Sequence, residues 1–228
     1  MSSIQLVFGG CGGLYNYYLG FAAVLQEKFD LSNTIFTGSS AGSFPAYYLA
    51  ANKNIRQSFH DINIPLLEEV NQYKLGAFGV WNRIVKQHMA KHITKKDHKQ
   101  VANKLGISVS KWSSVFCFDN EIIYHWKNKD ELMDTLMASA FIPCFDIGKL
   151  SYKIKDTCYV DGSLTNGCPI LDKTIPYFYM HVNKWRTFSY YEMWCWSNPK
   201  WANQMFELGE NDANKNIQEL EMYFTLKH

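Results

Sequence analysis

The stretch Thr34-Ile35-Phe36-Thr37-Gly38-Ser39-Ser40-Ala41-Gly42 decides the fold. Its first four residues favour a β-strand, and the apolar residues from Ser40 towards Ala51 favour a helix. A serine between glycines at a strand-to-helix turn is typical of a nucleophile elbow, because Gly38 and Gly42 let the neighbouring backbone pass without Cβ clashes. The pattern alone is weak evidence, since an ordinary turn with Ser40 as a helix cap has the same sequence.

A second glycine-rich turn precedes this stretch. Gly9-Gly10-Cys11-Gly12-Gly13 lies between a β-like run, residues 4–8, and a helical run, residues 17–29. Backbone N–H groups at a glycine turn that opens a helix can stabilise an oxyanion. A phosphate-binding P-loop is excluded because the turn lacks the Gly-Lys-Ser/Thr ending. A dinucleotide fingerprint is disfavoured because Tyr15 stands at its third glycine, and Asp30 precedes the second strand instead of ending it.

Composition predicts one domain, residues 1–228, with an ordinary soluble balance of 47% hydrophobic and 19% charged residues. A net charge of +2 does not indicate nucleic-acid binding. The six cysteines form no CxxC pair, so free thiols in a reducing compartment are expected. The start has no basic segment followed by an apolar one, and no apolar run reaches about 18 residues. The sequence therefore predicts a cytoplasmic protein without signal peptide or transmembrane segment.

Strands that alternate with helices predict an α/β fold with a largely parallel sheet. A hairpin is predicted over residues 112–118 and 121–126, with its turn at Asp119-Asn120. A helix is predicted over residues 130–140 and a buried strand over residues 175–182. Residues 83–104 form the most basic part of the chain, with a solvated surface as the default interpretation and an anionic lipid surface as the alternative.

A third motif, Asp161-Gly162-Ser163, follows a β-like run and continues to Asn166 and Pro169. In combination, the three motifs make the chain resemble the patatin-like phospholipase family, including its adiponutrin-type lipases. The resemblance covers roughly residues 4–183. It leaves residues 184–228 as an aromatic-rich C-terminal extension.

The resemblance implies a three-layer α/β/α sandwich with a mostly parallel central sheet and a Ser–Asp catalytic dyad without histidine. In this dyad Ser40 is the nucleophile and Asp161 is the base. The site should raise the pKa of Asp161, so that its carboxylate becomes more basic. Gly38 and Gly42 frame the elbow, and Gly162 and Ser163 complete the aspartate motif. The implied oxyanion hole comprises Gly10, Cys11, Gly12 and Gly13.

No metal or cofactor is implied by the resemblance. It implies a lipid acyl ester hydrolase of phospholipase A type that forms an acyl-enzyme, with phospholipid as the first substrate class and neutral lipid as the second. Triacylglycerol lipase and transacylase activity stay open because the same dyad serves them. A catalytically silent lipid-binding scaffold also stays open, as does peripheral contact with a membrane or lipid droplet.

The chain departs from the family pattern at three positions. Tyr15 stands where the glycine loop often ends in glycine, Leu14 where patatins proper carry a basic residue, and Ser163 where Gly or Ala is usual. None of these changes removes a catalytic atom. The substitution at Tyr15 affects the expected shape of the loop.

Histidines offer two alternative sites. His181 and His228 follow Asp161, the order of an α/β-hydrolase triad, but His181 lies within an apolar strand and a core role is favoured. His88 and His92 are spaced one helical turn apart, as metal ligands can be, although a solvated helix face is the simpler interpretation.

The C-terminal extension carries an aromatic run. Its residues fit either a lipid interface or an acyl pocket, although packing over the core is favoured. They are Trp185, Phe188, Tyr190, Tyr191, Met193, Trp194, Trp196 and Trp201.

Overall fold

The computed structural model describes residues 3–114, 117–143, 145–194 and 198–227. Its strands are β1 (Ile4–Phe8), β2 (Phe29–Asp30), β3 (Thr34–Ser39), β4 (Leu105–Ser114), β5 (Cys117–Ile123), β6 (Tyr152–Ile154), β7 (Thr157–Val160), β8 (Tyr177–Met180) and β9 (Thr225–Leu226). Its helices are α1 (Tyr15–Lys28), α2 (Ser43–Ala50), α3 (Ile55–Ser58), α4 (Ile64–Val70), α5 (Trp81–His92), α6 (Asp97–Gln100), α7 (Lys129–Ser139), α8 (Pro199–Lys215) and α9 (Ile217–Glu221). Short 3-10 turns cover Gly12–Leu14, Ser40–Gly42, Gly162–Leu164 and Glu192–Trp194, and a π-helical turn covers Phe59–Asn63.

The central sheet has a parallel core in the order β4-β3-β1-β8. Three antiparallel strands complete the sheet around β4, since β5 and β7 both pair with β4 and β6 pairs with β7. The predicted α/β class with a mostly parallel central sheet is thereby confirmed. A small separate ladder joins β2 to β9.

Two strands share one edge of β4, and this arrangement positions the site. Ser39 at the end of β3 pairs with Ser108, whereas Val160 at the end of β7 pairs with Ser110. Strand β5 occupies the opposite edge of β4 along both positions. Because β3 runs parallel to β4 and β7 runs antiparallel to it, the two strand ends approach each other head to head. The residues that follow them therefore meet.

Aromatic packing anchors helix α1 to one face of the sheet. The ring of Phe8 on β1 lies 5.6 Å from that of Tyr18 and 6.0 Å from that of Phe21 on α1. Full burial of one such side chain contributes about 1.5–3 kcal/mol. On the other face, Gln5 of β1 donates through Nε2 to the carbonyl oxygens of Asp172 (2.6 Å) and Ile175 (3.2 Å). The segment that follows the Asp161 motif thus covers this side of the sheet.

The C-terminal extension packs on α1 through a close helix crossing. A Cβ atom on Gly20 would lie 1.9 Å from the carbonyl oxygen of Phe206, and one on Gly209 would lie 2.0 Å from that of Tyr17. Only glycine permits α1 and α8 to approach this closely. Asp212 on α8 adds hydrogen bonds from Tyr17 and Arg186. The division into a motif-bearing core and an extension stays a prediction.

The aromatic run of the extension is divided between core and surface. Phe188 is buried and its ring lies 5.0 Å from that of Tyr17, and Trp185 packs against Phe21 at 5.6 Å. Tyr190 and Tyr191 are exposed. Trp196 lies outside the described residues.

The predicted turn at Asp119-Asn120 is wrong. Both residues lie inside β5, where Asp119 pairs with Lys111 and Asn120 with Ser110. The antiparallel pairing of β4 with β5 instead continues as far as Ser114 and Cys117. Strand β5 is an edge strand, so its polar side chains can reach solvent while its backbone pairs with β4. This strand pairing overrides the local turn preference of Asp119 and Asn120.

Candidate active site

Ser40 occupies a strained turn between β3 and α2. Its φ is 53°, in the left-handed region that costs a non-glycine residue about 1–3 kcal/mol. A Cβ atom on Gly38 would lie 2.5 Å from the Gly42 carbonyl oxygen, and one on Gly42 would lie 2.2 Å from that of Gly9. The two glycines of the motif are therefore sterically required. The Ser43 hydroxyl donates to the Ser40 carbonyl oxygen at 2.7 Å and secures the turn.

The Ser40 side chain meets Asp161 across the junction of β3 and β7. Ser40 Oγ donates to Asp161 Oδ2 at 2.5 Å. The second carboxylate oxygen, Oδ1, accepts from the backbone N–H of Ser163 at 2.8 Å. The Asp161 backbone is also held, because its N–H donates to the Phe141 carbonyl (2.9 Å) and its carbonyl accepts from Ser110 Oγ (2.7 Å). Both partners of the predicted dyad are thus fixed by neighbouring elements.

Burial makes the Asp161 carboxylate unusually basic. Desolvation raises its pKa from 3.8 to about 6, and the hydrogen bonds from Ser40 and Ser163 only partly oppose this effect. At neutral pH the group is still mainly ionised, yet it accepts a proton more readily than an exposed aspartate. This agrees with the requirement that a carboxylate base places on such a site.

The glycine loop lies directly beside Ser40. A Cβ atom on Gly10 would lie 3.4 Å from Ser40 Cβ and 2.2 Å from Ser163 Oγ. Gly12 has a φ of 53°, and a Cβ there would lie 2.6 Å from the carbonyl oxygen of Met193 in the C-terminal extension. Among the described residues, no group accepts a hydrogen bond from the backbone N–H of Gly10, Cys11 or Gly12. These donors are available to a ligand.

The Cys11 side chain is not part of the open site. It is buried, and the pKa of its thiol is raised, first by burial and then by the charge of Asp161. The thiol is therefore neutral at physiological pH. Only the backbone of this residue is suited to the predicted oxyanion loop.

Two further serines, Ser39 and Ser139, lie at the site, and the sequence does not identify them as site residues. The backbone N–H of Ser40 donates to Ser139 Oγ at 3.0 Å, and that hydroxyl donates to the Ser108 carbonyl at 2.7 Å. Ser39 Oγ and Ser163 Oγ lie 2.9 Å apart, within hydrogen-bond distance. Nothing local in the sequence distinguishes Ser139, because its role depends on where the end of α7 meets β4.

A cavity opens at Ser40 and extends between α1, α4 and α5. The empty space in and in front of it, including open solvent at the mouth, amounts to about 660 Å³. Its described lining carries no charged side chain. The lining residues are Gly12, Gly13, Tyr15, Asn16, Ser40, Ala41, Phe44, Tyr48, Ile62, Asn63, Leu66, Leu67, Trp81, Val85, Met89, Ala140 and Ile142.

The histidine alternatives are not brought to Ser40. His181 follows β8, and its ring lies 5.3 Å from that of Tyr179. In the described part of the chain, no histidine hydrogen-bonds to Ser40 Oγ or Asp161. His228 lies outside the described residues. His88 Nε2 instead lies 2.8 Å from Glu69 Oε2, which ties α5 to α4.

Two further features bear on ligands and membranes. Within the described ranges, no group of three or more His, Cys, Asp and Glu side chains is arranged to hold a metal ion. None of the helices in these ranges has both the length and the apolar character needed to cross a membrane.

The fold and the elbow define an α/β protein with a serine at the end of a parallel strand, beside a glycine loop and a buried aspartate. A model of the family described as patatin-like phospholipase matches residues 6–172, more than half of the chain. The chain therefore belongs to the patatin-like phospholipase family.

Named relatives belong to the same family. The chain is 30% identical over 175 residues to human patatin-like phospholipase domain-containing protein 2, covering 74% of this chain and 34% of that protein. It is 28% identical over 178 residues to human patatin-like phospholipase domain-containing protein 4, covering 75% of this chain and 68% of that protein. It is 25% identical over 174 residues to human 1-acylglycerol-3-phosphate O-acyltransferase PNPLA3, covering 74% of this chain and 35% of that protein. The chain thus spans about a third of the length of two of these relatives.

Among solved structures, VipD from Legionella pneumophila is similar, with a TM-score of 0.51 and 13% identity. The similarity covers 78% of this chain and 49% of VipD. At this identity the comparison supports the fold.

Proposed function

We propose that this protein is a lipid acyl ester hydrolase of phospholipase A type that uses Ser40 and Asp161 as a catalytic dyad. The observation that carries the proposal is the 2.5 Å hydrogen bond from Ser40 Oγ to Asp161 Oδ2. A hydroxyl bonded to a desolvated, basic carboxylate is the arrangement that acyl transfer requires, together with backbone N–H groups that have no acceptor among the described residues. Membership of a family with lipid hydrolases supports the same conclusion.

Acylation begins at Ser40. Its Oγ attacks the ester carbonyl carbon while its proton passes to Asp161, and the carbonyl oxygen becomes an oxyanion. The N–H groups of Gly10, Cys11 and Gly12 stabilise that oxyanion, and one such donor is typically worth about 2.7–4 kcal/mol of transition-state energy. The intermediate then expels the lysolipid alkoxide, which takes the proton from Asp161. An acyl ester on Ser40 remains.

Deacylation repeats the chemistry with water. Asp161 takes a proton from the attacking water, and the same N–H groups stabilise the second oxyanion. Collapse releases the fatty acid, and the proton returns to Ser40 Oγ. Transacylation differs only in that an alcohol replaces water, and it is the second candidate because one relative is named as an O-acyltransferase and another, from mouse, as a transacylase.

A phospholipid surface is the proposed source of substrate. Leu75 and Ile147 are 71% and 73% exposed. Their loops are in contact, since the Gly79 N–H donates to the Phe145 carbonyl at 2.9 Å. Ile142, near the second loop, lines the cavity at Ser40. We define the exposed residues Leu75, Phe78, Ile147 and Leu150 as an apolar rim and propose that this rim lies beside the cavity mouth.

One lysine gives this rim a positive charge that suits anionic headgroups. Lys74 is an exposed neighbour of Leu75, whereas Lys149, beside Leu150, forms an ion pair with Asp146 at 3.5 Å. Apolar side chains that enter the interface, with cations beside them, are the pattern of peripheral membrane association.

A fluorophosphonate probe and a phospholipid assay test the function together. We expect the probe to label the wild-type protein and phospholipid vesicles to yield lysophospholipid and fatty acid. Ser40→Ala should abolish both signals, whereas the exposed Ser113→Ala control should leave both intact. No labelling of the folded wild-type protein would favour the silent scaffold. Labelling with acyl transfer to glycerol in place of water would favour the transacylase.

A further inference from the structure

The cavity at Ser40 contains a buried amide pair. Asn16 lies in the first turn of α1 and Asn63 ends the π-helical turn, and the two side chains are hydrogen-bonded from Asn63 Nδ2 to Asn16 Oδ1. Their residues are only 2% and 4% exposed, yet both line the cavity. Isolated π-helical turns occur frequently at functional sites. Here the turn brings Ile62 and Asn63 to the cavity wall together.

The pair retains unused hydrogen-bonding capacity. Among the described residues, Asn16 Nδ2 has no acceptor and Asn63 Oδ1 has no donor beyond the bond that joins the pair. Neither atom is sealed inside the protein without a partner, so both keep surface towards the cavity. Exchanging oxygen and nitrogen in both amides leaves the same capacity, one N–H₂ group and one carbonyl oxygen. The cavity thus offers one donor and one acceptor side by side.

The side chains around the amide pair limit which chemical group of a ligand can bind to it. The neighbouring wall is apolar (Ile62, Leu66, Leu67), and an aliphatic chain alone would leave both amide atoms unpaired. A carboxylate or ketone only accepts hydrogen bonds and would leave Asn63 Oδ1 unpaired. An alcohol hydroxyl both donates and accepts, and it matches the pair.

Among the other polar side chains of the cavity, Tyr48 already has a hydrogen-bond partner. Its hydroxyl donates to Met89 Sδ at 3.0 Å. This hydroxyl is therefore not available in the way that the amide pair is. It provides a matched control, since Tyr48→Phe removes a polar atom from the same cavity without touching the pair.

We propose that Asn16 and Asn63 form a subsite for an alcohol hydroxyl on the acyl chain, and that the substrates include esters of hydroxylated fatty acids. The proposal rests on the acyl hydrolase function of Ser40. The same alcohol chemistry is present on glycerol, but the apolar wall around the pair suits an acyl chain. The amide pair acts in specificity and takes no part in bond breaking.

The test compares 4-nitrophenyl esters of one chain length that are unsubstituted or carry a hydroxyl at successive positions. The wild-type protein should prefer at least one hydroxylated ester by about three- to tenfold in kcat/KM. Asn16→Val and Asn63→Leu should each reduce that ratio towards one and improve turnover of the unsubstituted ester. Tyr48→Phe should keep the wild-type ratio. Thermal unfolding curves establish that each variant is folded, and either asparagine variant alone suffices.

Three outcomes would overturn the subsite. One is a wild-type preference for the unsubstituted ester at every position. The second is a ratio that neither asparagine variant changes. In the third, the asparagine variants change only the ratio of kcat/KM between a monoacylglycerol and the corresponding ethyl ester. That result would show that the pair binds a glycerol hydroxyl and not one on the acyl chain.

Failure of the proposed function is recognised separately. If the folded wild-type protein hydrolyses none of these esters, displacement of a fluorescent fatty acid from the Ser40→Ala protein still decides the subsite. A hydroxylated fatty acid should then displace the probe about three- to tenfold better than the unsubstituted acid. Asn63→Leu, combined with Ser40→Ala, should remove this advantage, and equal displacement by both acids would overturn the proposal.

Discussion

The backbone N–H of Ser40 donates a 3.0 Å hydrogen bond to the hydroxyl of Ser139, at the end of α7. The same hydroxyl donates to the Ser108 carbonyl on β4 at 2.7 Å. Ser139 is fully buried and connects the nucleophile turn, α7 and β4. Strand β4 also pairs with β7, the strand that ends directly before Asp161. The positive φ of Ser40 has to be held by its surroundings, and its hydrogen bond to Ser139 is one of the constraints that hold it.

Replacing Ser139 by Ala should therefore lower stability and activity together. The change leaves the buried N–H of Ser40 without an acceptor, which costs about 1–3 kcal/mol. We expect a lower free energy of unfolding in urea and roughly tenfold lower kcat on a phospholipid, because a shift in the nucleophile weakens catalysis. Ser113→Ala, on the exposed end of β4, is the control. Full stability and full kcat in Ser139→Ala would contradict this role of Ser139.

The acid limb of the pH–rate profile should reflect Asp161. Its pKa is raised to about 6, chiefly by burial, and it must be ionised to accept the Ser40 proton. In the wild-type protein, kcat/KM should thus fall as the pH is lowered through about 6. Asp161→Asn should abolish turnover at every pH while the fold survives, as judged by circular dichroism. A wild-type profile that is flat down to pH 4.5 would contradict the assignment.

The same carboxylate should cost stability at neutral pH. A raised pKa means that the folded protein holds this proton more tightly than the unfolded chain, so the stabilisation present below pH 3.8 is lost as the pH rises through about 6. Asp161→Asn removes this cost and should raise the free energy of unfolding at pH 7 by up to about 3 kcal/mol. The gain should shrink towards zero at pH 4. Urea unfolding at the two pH values measures it, and an equal change at both would exclude ionisation as its cause.

The sequence predicts the elbow because its signals are local. Gly38, Ser40 and Gly42 follow a β-like run and precede a helical one, and the close contacts of both glycines explain why no other residue fits. Asp161 is different, since an Asp-Gly pair is typical of many turns, and only the resemblance to a family identifies it as a site residue. Its meeting with Ser40, 121 residues earlier in the chain, depends on two long-range strand pairings, β3 with β4 and β4 with β7.

Long-range pairing also explains what the sequence could not provide. The turn predicted at Asp119-Asn120 would have carried the first strand of the hairpin to residue 118, whereas β4 ends at Ser114 and β5 begins at Cys117. The support from Ser139 follows from the same sheet, since it depends on where α7 reaches Ser108. Such contacts have no periodicity or motif of their own, so only the assembled fold reveals them.

A methyl group in the glycine loop should block the site. In Gly10→Ala, the new Cβ would lie 2.2 Å from Ser163 Oγ and 3.4 Å from Ser40 Cβ. Displacement of one oxyanion donor typically lowers kcat by about 10²–10³-fold, and we expect a loss of this order. Adding Ser163→Gly removes the colliding hydroxyl and should restore part of the activity.

The control for Gly10→Ala and for its combination with Ser163→Gly is Gly167→Ala, where a Cβ would meet nothing within 4 Å. It should retain the wild-type kcat. Steady-state kinetics on one phospholipid compares all four proteins. If Gly10→Ala retains full activity, the loop does not stabilise the oxyanion; if Ser163→Gly rescues nothing, the collision is not the cause of the loss.

Charge on the apolar rim should separate membrane binding from chemistry. Leu75 and Ile147 are exposed on two loops that are in contact with each other, and an aliphatic side chain contributes about 1.5–3 kcal/mol when it leaves water. Leu75→Glu or Ile147→Glu should therefore weaken binding to vesicles that contain anionic phospholipid by roughly tenfold or more. Hydrolysis of a water-soluble short-chain ester should be unchanged, because neither side chain contacts Ser40.

Met222→Glu is the matched control, since Met222 is 74% exposed in the C-terminal extension and lies outside the rim. Equal vesicle binding by all three variants, measured by co-sedimentation, would show that substrate reaches Ser40 without docking of this surface.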